Sequence, residues 1–162
     1  MGVRPECGGE RSRDTLSLSD GGEYLLFTDA GVESSGHERQ GDTPGAAAIG
    51  VALKKRRNGR LDFVGGISKQ IGPATKDAAE YRALIAGLEL ARSLGVKRIR
   101  VFMDRESVVD RMSGVAKVKQ EDREMHTKAV DLYEAFPNRR ISWLPREINA
   151  EADALASLAL GR

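Results

Sequence analysis

The sequence predicts an α/β domain on one five-stranded mixed sheet: the first three strands antiparallel, the last two parallel to the first, with flanking helices. Three observations predict it. Arg57-Asn58-Gly59-Arg60 separates two apolar-rich runs, and Asn-Gly in that setting is the strongest short signal for a β-hairpin. Residues 75–91 carry apolar side chains at helical spacing, with Tyr81, Leu84, Ile85, Leu88 and Ala91 on one face. The elements run β-β-β-α-β-α-α-β-α, and the helical crossovers make the last two strands parallel to strand one.

Each element has a local cause. Residues 24–29 read as a buried first strand, followed by a polar loop over 33–43. Strands two and three span roughly 46–55 and 61–70 around the Asn-Gly turn. Thr75 is a natural N-cap, Asp77 suits the first helical turn, and Gly95 stops the first helix. Val96 to Met103 is strand four, after which Asp104 is placed to cap a short helix through Val108, Val109 and Met112. A charged helix over 120–135 ends near Pro137, and Arg140 to Leu144 form strand five with Trp143 in the core. Asn149 N-caps the last helix, which buries Ala152, Leu155, Ala156 and Ala159.

Composition narrows the class. A chain of 162 residues, 40% hydrophobic and 31% charged, fits one soluble domain with a real core. A formal charge of +2 is too small to announce a nucleic-acid binder by itself. The single Cys7 excludes an internal disulfide framework and suits a reducing compartment. The start has no apolar leader and nothing downstream approaches a membrane span, so the expected location is the cytoplasm, with no membrane partner. Residues 1–22, rich in Gly, Ser, Arg and Asp, are expected to be a disordered tail before a domain over 23–162.

Strands one, three, four and five finish at one end of the sheet, where the first, second and last helices begin. Asp29, Glu80, Asp104 and Asp153 all fall there. Taken singly, Asp29 solvates a turn, Asp104 caps a helix, and Glu80 and Asp153 are helix-surface charges. Four such placements at one end of one sheet are a different matter. Convergent carboxylates repel one another unless divalent cations compensate them, which points to metal-assisted phosphoryl chemistry.

The chain resembles the type 1 ribonuclease H family, in its compact archaeal-like form, over about residues 24–160. The carriers are Phe27-Thr28-Asp29-Ala30-Gly31, Pro44-Gly45-Ala46-Ala47-Ala48-Ile49-Gly50-Val51, Ala78-Ala79-Glu80-Tyr81-Arg82-Ala83-Leu84-Ile85-Ala86-Gly87-Leu88, Asp104, and Pro145 to Ala156. The resemblance implies an endonuclease that cuts the RNA strand of RNA–DNA hybrids with two ions per site, Mg²⁺ or Mn²⁺, acting as a monomer. It makes Asp29 the bridging ligand, gives Glu80 and Asp104 the ion on the leaving-group side, and gives Asp153 the ion that activates water. It assigns substrate contact to Thr75, Lys76, Lys117, Lys119, Arg146 and Asn149.

The chain also departs from the family pattern. Ala30 and Gly31 follow the first acid, where Gly and a small polar residue are usual. Two asparagines after the helix-opening Thr are replaced by Lys76 and Asp77, and Arg105 stands where Ser is common. Asp77 would repel a nucleic-acid backbone unless turned inward. The loop before the last helix has no His, and His126 lies on the preceding helix. Lys54-Lys55-Arg56-Arg57 with Arg60 reads as a solvated edge against strand aggregation, and its functional reading is backbone contact. His37 is expected to be exposed and Cys7 inert. Two other functions compete. One is a binding module for hybrids or double strands without efficient chemistry, supported by the altered contact residues but opposed by the presence of all four acids. The other is a 3′–5′ exonuclease, disfavoured because no Glu follows Asp29 at the second position.

Overall fold

A computed structural model describes residues 22–34 and 43–162. The tail read over 1–22 and the loop over 33–43, with Cys7 and His37, lie outside the described residues except at their ends. The elements are β1 (Glu23–Val32), β2 (Gly45–Arg57), β3 (Arg60–Ala74), α1 (Lys76–Ser93), β4 (Arg98–Met103), α2 (Glu106–Met112), α3 (Arg123–Glu134), β5 (Asn138–Trp143) and α4 (Ala150–Ala159). They form one sheet in the order β3-β2-β1-β4-β5. β1 is antiparallel to β2 and parallel to β4, and β4 is parallel to β5. The expected mixed sheet is therefore present, with longer strands at its antiparallel side.

The β2–β3 turn shows why Asn-Gly was decisive. Asn58 (φ 49°) and Gly59 (φ 78°) both adopt positive φ, as a two-residue hairpin whose twist matches its strands requires. On one face, Leu26, Val51, Leu53, Val101 and Met103 pack with Tyr81, Leu84 and Leu88 of α1 in the main core. Thr75 caps α1 as expected, its Oγ1 accepting from the Ala78 N–H at 3.2 Å. α4 packs on β2 and β1 through Gly50, where an added Cβ would stand 2.0 Å from the Ala152 carbonyl oxygen. Only glycine lets the helix backbone come that close.

Several local expectations are corrected. Asp104 does not cap α2: the N-cap position is Arg105, with no side-chain cap bond, and Asp104 instead accepts from Asn149. Asn149 holds the N-cap position of α4 but its side chain caps nothing. Trp143 is not core. It is 49% exposed, and its indole N–H donates to the Asp104 carbonyl at 3.1 Å. The charged helix starts at Arg123 behind a 3-10 turn over Gln120–Asp122. Leu155 and Ala159 are only half-buried.

Lys54 to Arg57 are not an edge device, because β2 lies inside the sheet, whereas Arg60 opens the edge strand β3. Lys54 pairs with Glu151 at 2.7 Å, Arg56 with Glu23 and Arg57 with Asp62, while buried Lys55 lies over the Tyr24 ring. Those charges are largely answered within the protein.

Candidate active site

Parallel pairing of β1 with β4 is in register at Thr28 and Met103, so the next residue on each strand is an acid. Asp29 and Asp104 therefore stand side by side at the carboxyl end of the sheet. Thr75 starts α1 at the same end, and Glu80 lies in its second turn on the buried face. Asp29, Glu80 and Asp104 each offer a carboxylate oxygen within 4.8 Å of the others. α4 supplies Asp153, whose hydrogen bond and charge act on Asp29 and whose Oδ1 lies 3.5 Å from Arg146 Nη2. Asp29, Glu80 and Asp104 thus form one cluster, and Asp153 adjoins it through Asp29.

Their electrostatics follow from crowding. Burial first, then the Asp104 charge, raises the Asp29 pKa to about 7. Burial first, then the charges of Asp29 and Asp104, pushes Glu80 well above the ordinary carboxylate range, with Arg105 opposing. Glu80 Oε2 is buried with no hydrogen-bond partner. A buried acceptor without a donor, beside two further carboxylates, is the donor set a hard divalent cation completes. The residues present fit such an ion.

Neighbouring groups hold the carboxylates in place. Asn149, 1% exposed, donates through Nδ2 to Asp104 Oδ2 at 3.1 Å and to the Thr28 carbonyl at 3.0 Å. Buried this way, Asn149 sits behind the acids instead of facing a substrate. Asp29, Glu80 and Asp104 line a recess of about 290 Å³ whose cations are Lys76, Arg105, Arg146 and Arg162. A larger recess of about 620 Å³ between β3, α1 and α3 is mostly aliphatic and holds none of the four acids.

Asp77 is turned inward, 4% exposed, and grips Arg105, Arg111 and Lys119. Lys119 is thus joined to Asp77 and is not among the residues lining the recess. Lys117 accepts from Arg111 through its carbonyl. His126 faces Tyr81, with Nδ1 3.0 Å from the tyrosine hydroxyl, and is not among the residues lining the recess.

Residues 38–159 match the family described as "Reverse transcriptase-like". The crystal structure of ribonuclease H1 from the halophilic archaeon Halobacterium salinarum superposes with a TM-score of 0.74 at 33% identity, covering 86% of this chain and 98% of that one. The chain belongs to the type 1 ribonuclease H family. This ribonuclease H domain is also similar to the structure of LC11-RNase H1 in complex with an RNA/DNA hybrid (TM-score 0.73, 32% identity, 85% of this chain and 96% of that one). Bifunctional protein Rv2228c of Mycobacterium tuberculosis is 39% identical over 131 residues, 80% of this chain. The chain spans only 35% of the length of that relative.

Two features of this ribonuclease H domain were not foreseen. Arg162 enters the recess from the far end of α4, where no motif marks it. The Asp77–Arg105 pair joins residues 28 apart, and no helical or strand period links them. Their joint departure from the family pattern was the available signal.

Proposed function

We propose that this domain is a metal-dependent endonuclease that hydrolyses the RNA strand of RNA–DNA hybrids. One observation carries the reading: Asp29, Glu80 and Asp104 are brought within 4.8 Å of one another at the sheet's carboxyl end, with a buried Glu80 oxygen left without a donor. A protein has no structural use for such a cluster, because each buried carboxylate costs free energy unless it is paired. The solved relative bound to an RNA/DNA hybrid supports the choice of substrate.

Asp29, Glu80, Asp104 and Asp153 would hold two divalent cations, Mg²⁺ or Mn²⁺. Bound there, such ions activate water and offset charge on the phosphodiester. Asp29 would be the ligand common to both, since it adjoins Glu80 and Asp104 as well as Asp153. Asn149 and Trp143 keep Asp104 in place through its carboxylate and its carbonyl. Thr75, Lys76, Lys119 and Arg146 form the cationic and polar surroundings for the duplex, and Lys117 extends them. Asn149 serves the substrate only through Asp104.

The test is cleavage of an end-labelled RNA–DNA hybrid with Mg²⁺, with Mn²⁺ and with chelator, beside the Asp29→Asn variant. Metal-dependent internal cuts confined to the RNA strand and lost in the variant are expected. Salt-sensitive binding without any cleavage would replace the nuclease by the binding-module reading.

A further inference from the structure

The one carboxylate of Asp77 meets three cations. Its Oδ1 accepts from Arg105 Nε at 2.9 Å, its Oδ2 accepts from Arg111 Nη1 at 2.8 Å, and Lys119 Nζ lies 3.3 Å from Oδ2. Arg111 is the internal partner: its side chain is 9% exposed and its Nε also donates to the Lys117 carbonyl. Arg111 and Arg105 together hold the acid ionised, but Arg105 does so from the surface side, its own side chain 35% exposed. Among the described residues, its two terminal nitrogens have no recorded hydrogen bond or ion pair. Arg105 also lines the recess that contains Asp29, Glu80 and Asp104.

We propose that Arg105 contacts a backbone phosphate of the bound duplex, and that Asp77 is the residue that positions it. The inference rests on the hybrid-cleavage reading and concerns how this chain holds that substrate. A guanidinium anchored through Nε is presented as a fork whose remaining N–H groups match phosphate oxygens. Asp77 accepts that anchor and, being buried, does not itself repel the duplex. A phosphate contact carries no base information, so this corner adds affinity uniformly across hybrid sequences.

The experiment compares wild type, Arg105→Gln, Arg105→Lys and Asp77→Asn, each first checked by thermal melting. Anisotropy titration of a labelled hybrid in chelator over a salt series reads binding apart from cleavage. Steady-state kinetics with Mg²⁺ then separate KM from kcat. Arg105→Gln is expected to weaken binding and raise KM about tenfold, as for loss of a charge-assisted hydrogen bond, with kcat within about twofold. Its log–log salt slope should fall by about one unit. Arg105→Lys should keep the slope. Asp77→Asn should keep it too, while KM rises, because the charge remains but is no longer aimed.

A wild-type slope retained by Arg105→Gln would overturn the phosphate contact alone. A loss carried by kcat or by the Mg²⁺ requirement would also overturn it, assigning Arg105 to holding the carboxylates. Wild type that shows no salt-dependent hybrid binding would overturn both this proposal and the functional reading beneath it.

Discussion

Asp29 lies one residue beyond the last β1–β4 pair, 4% exposed, facing Asp104 and Asp153. Its pKa of about 7 in the metal-free protein, against an ordinary 3.8, fixes a sign. The folded state binds the extra proton, so the Asp29 contribution to stability is fully present below about pH 4 and is lost as pH rises to about 7. Metal-free wild type should therefore melt at lower temperature across that interval. Asp29→Asn removes the crowded charge, so it should melt higher than wild type in chelator near neutral pH while losing cleavage by more than a hundredfold. A melt in chelator over that pH range decides it; a variant that is less stable at every pH would refute the electrostatic account. Asn149→Ala tests the support behind the ligands. It leaves all four acids in place but frees Asp104 Oδ2, and groups that orient metal ligands typically matter by about 10–100-fold in activity or metal affinity. A single-turnover assay at varied Mg²⁺ would show whether the loss is of affinity or of rate.

Two packing devices bring the elements to the site. The first is the seat of α4 on β2. Gly50→Ala would drive a methyl group against the Ala152 backbone, which has no flexible end to yield, and so should cost about 3 kcal/mol and displace Asp153. Gly65→Ala is the control, because its added Cβ meets Leu90 at an ordinary 3.6 Å. Paired denaturation curves should separate the two; equal stability would mean α4 can lift without loss. The second device is Asp77, which ties α1 to Arg105 and Arg111 beside and within α2. Burial alone would raise its pKa, but Arg111 and Arg105 override that and hold it at about 2. With a depressed folded pKa, the stabilisation, about 2 kcal/mol, is present above pH about 4 and lost as pH falls toward 2. Acid unfolding of Asp77→Asn should lack that component. The hairpin, the cap at Thr75 and the strand order were legible because each has a local code: turn residues, a capping oxygen, a period. The outward Trp143 and the Asp77 cluster were not, because strand five is short and its exposed partner is a loop carbonyl, and ion pairs across 28 or 34 residues leave no periodic trace. The acids were legible through topology, which put separate strand and helix ends at one place, and through the motifs around them.

The whole molecule carries a formal charge of only +2, yet its charge is sorted. Carboxylates crowd one recess and Lys76, Arg105, Arg146 and Arg162 share its lining, while the Lys54–Arg57 run is answered by Glu151, Glu23 and Asp62. Among the described residues no helix is long and apolar enough to cross a membrane. Such a recess is a poor host for a polyanion until its acids are neutralised, and the same crowding makes folding and cation binding one linked equilibrium. A ligand that binds only the folded state at a hundred times its Kd adds about 2.7 kcal/mol. In a domain of this size, each kcal/mol moves Tm by about 2–4 °C. Saturating Mg²⁺ should therefore raise the melting temperature by about 5–10 °C over the chelated protein, by combined neutralisation and linkage. Asp29→Asn, lacking the carboxylate proposed to serve both ions, should show little of that rise. The comparison needs no substrate, so it tests the cation site apart from the nuclease. A rise of equal size in both proteins would mean the ions bind elsewhere, and the convergence of the four acids would then need another explanation.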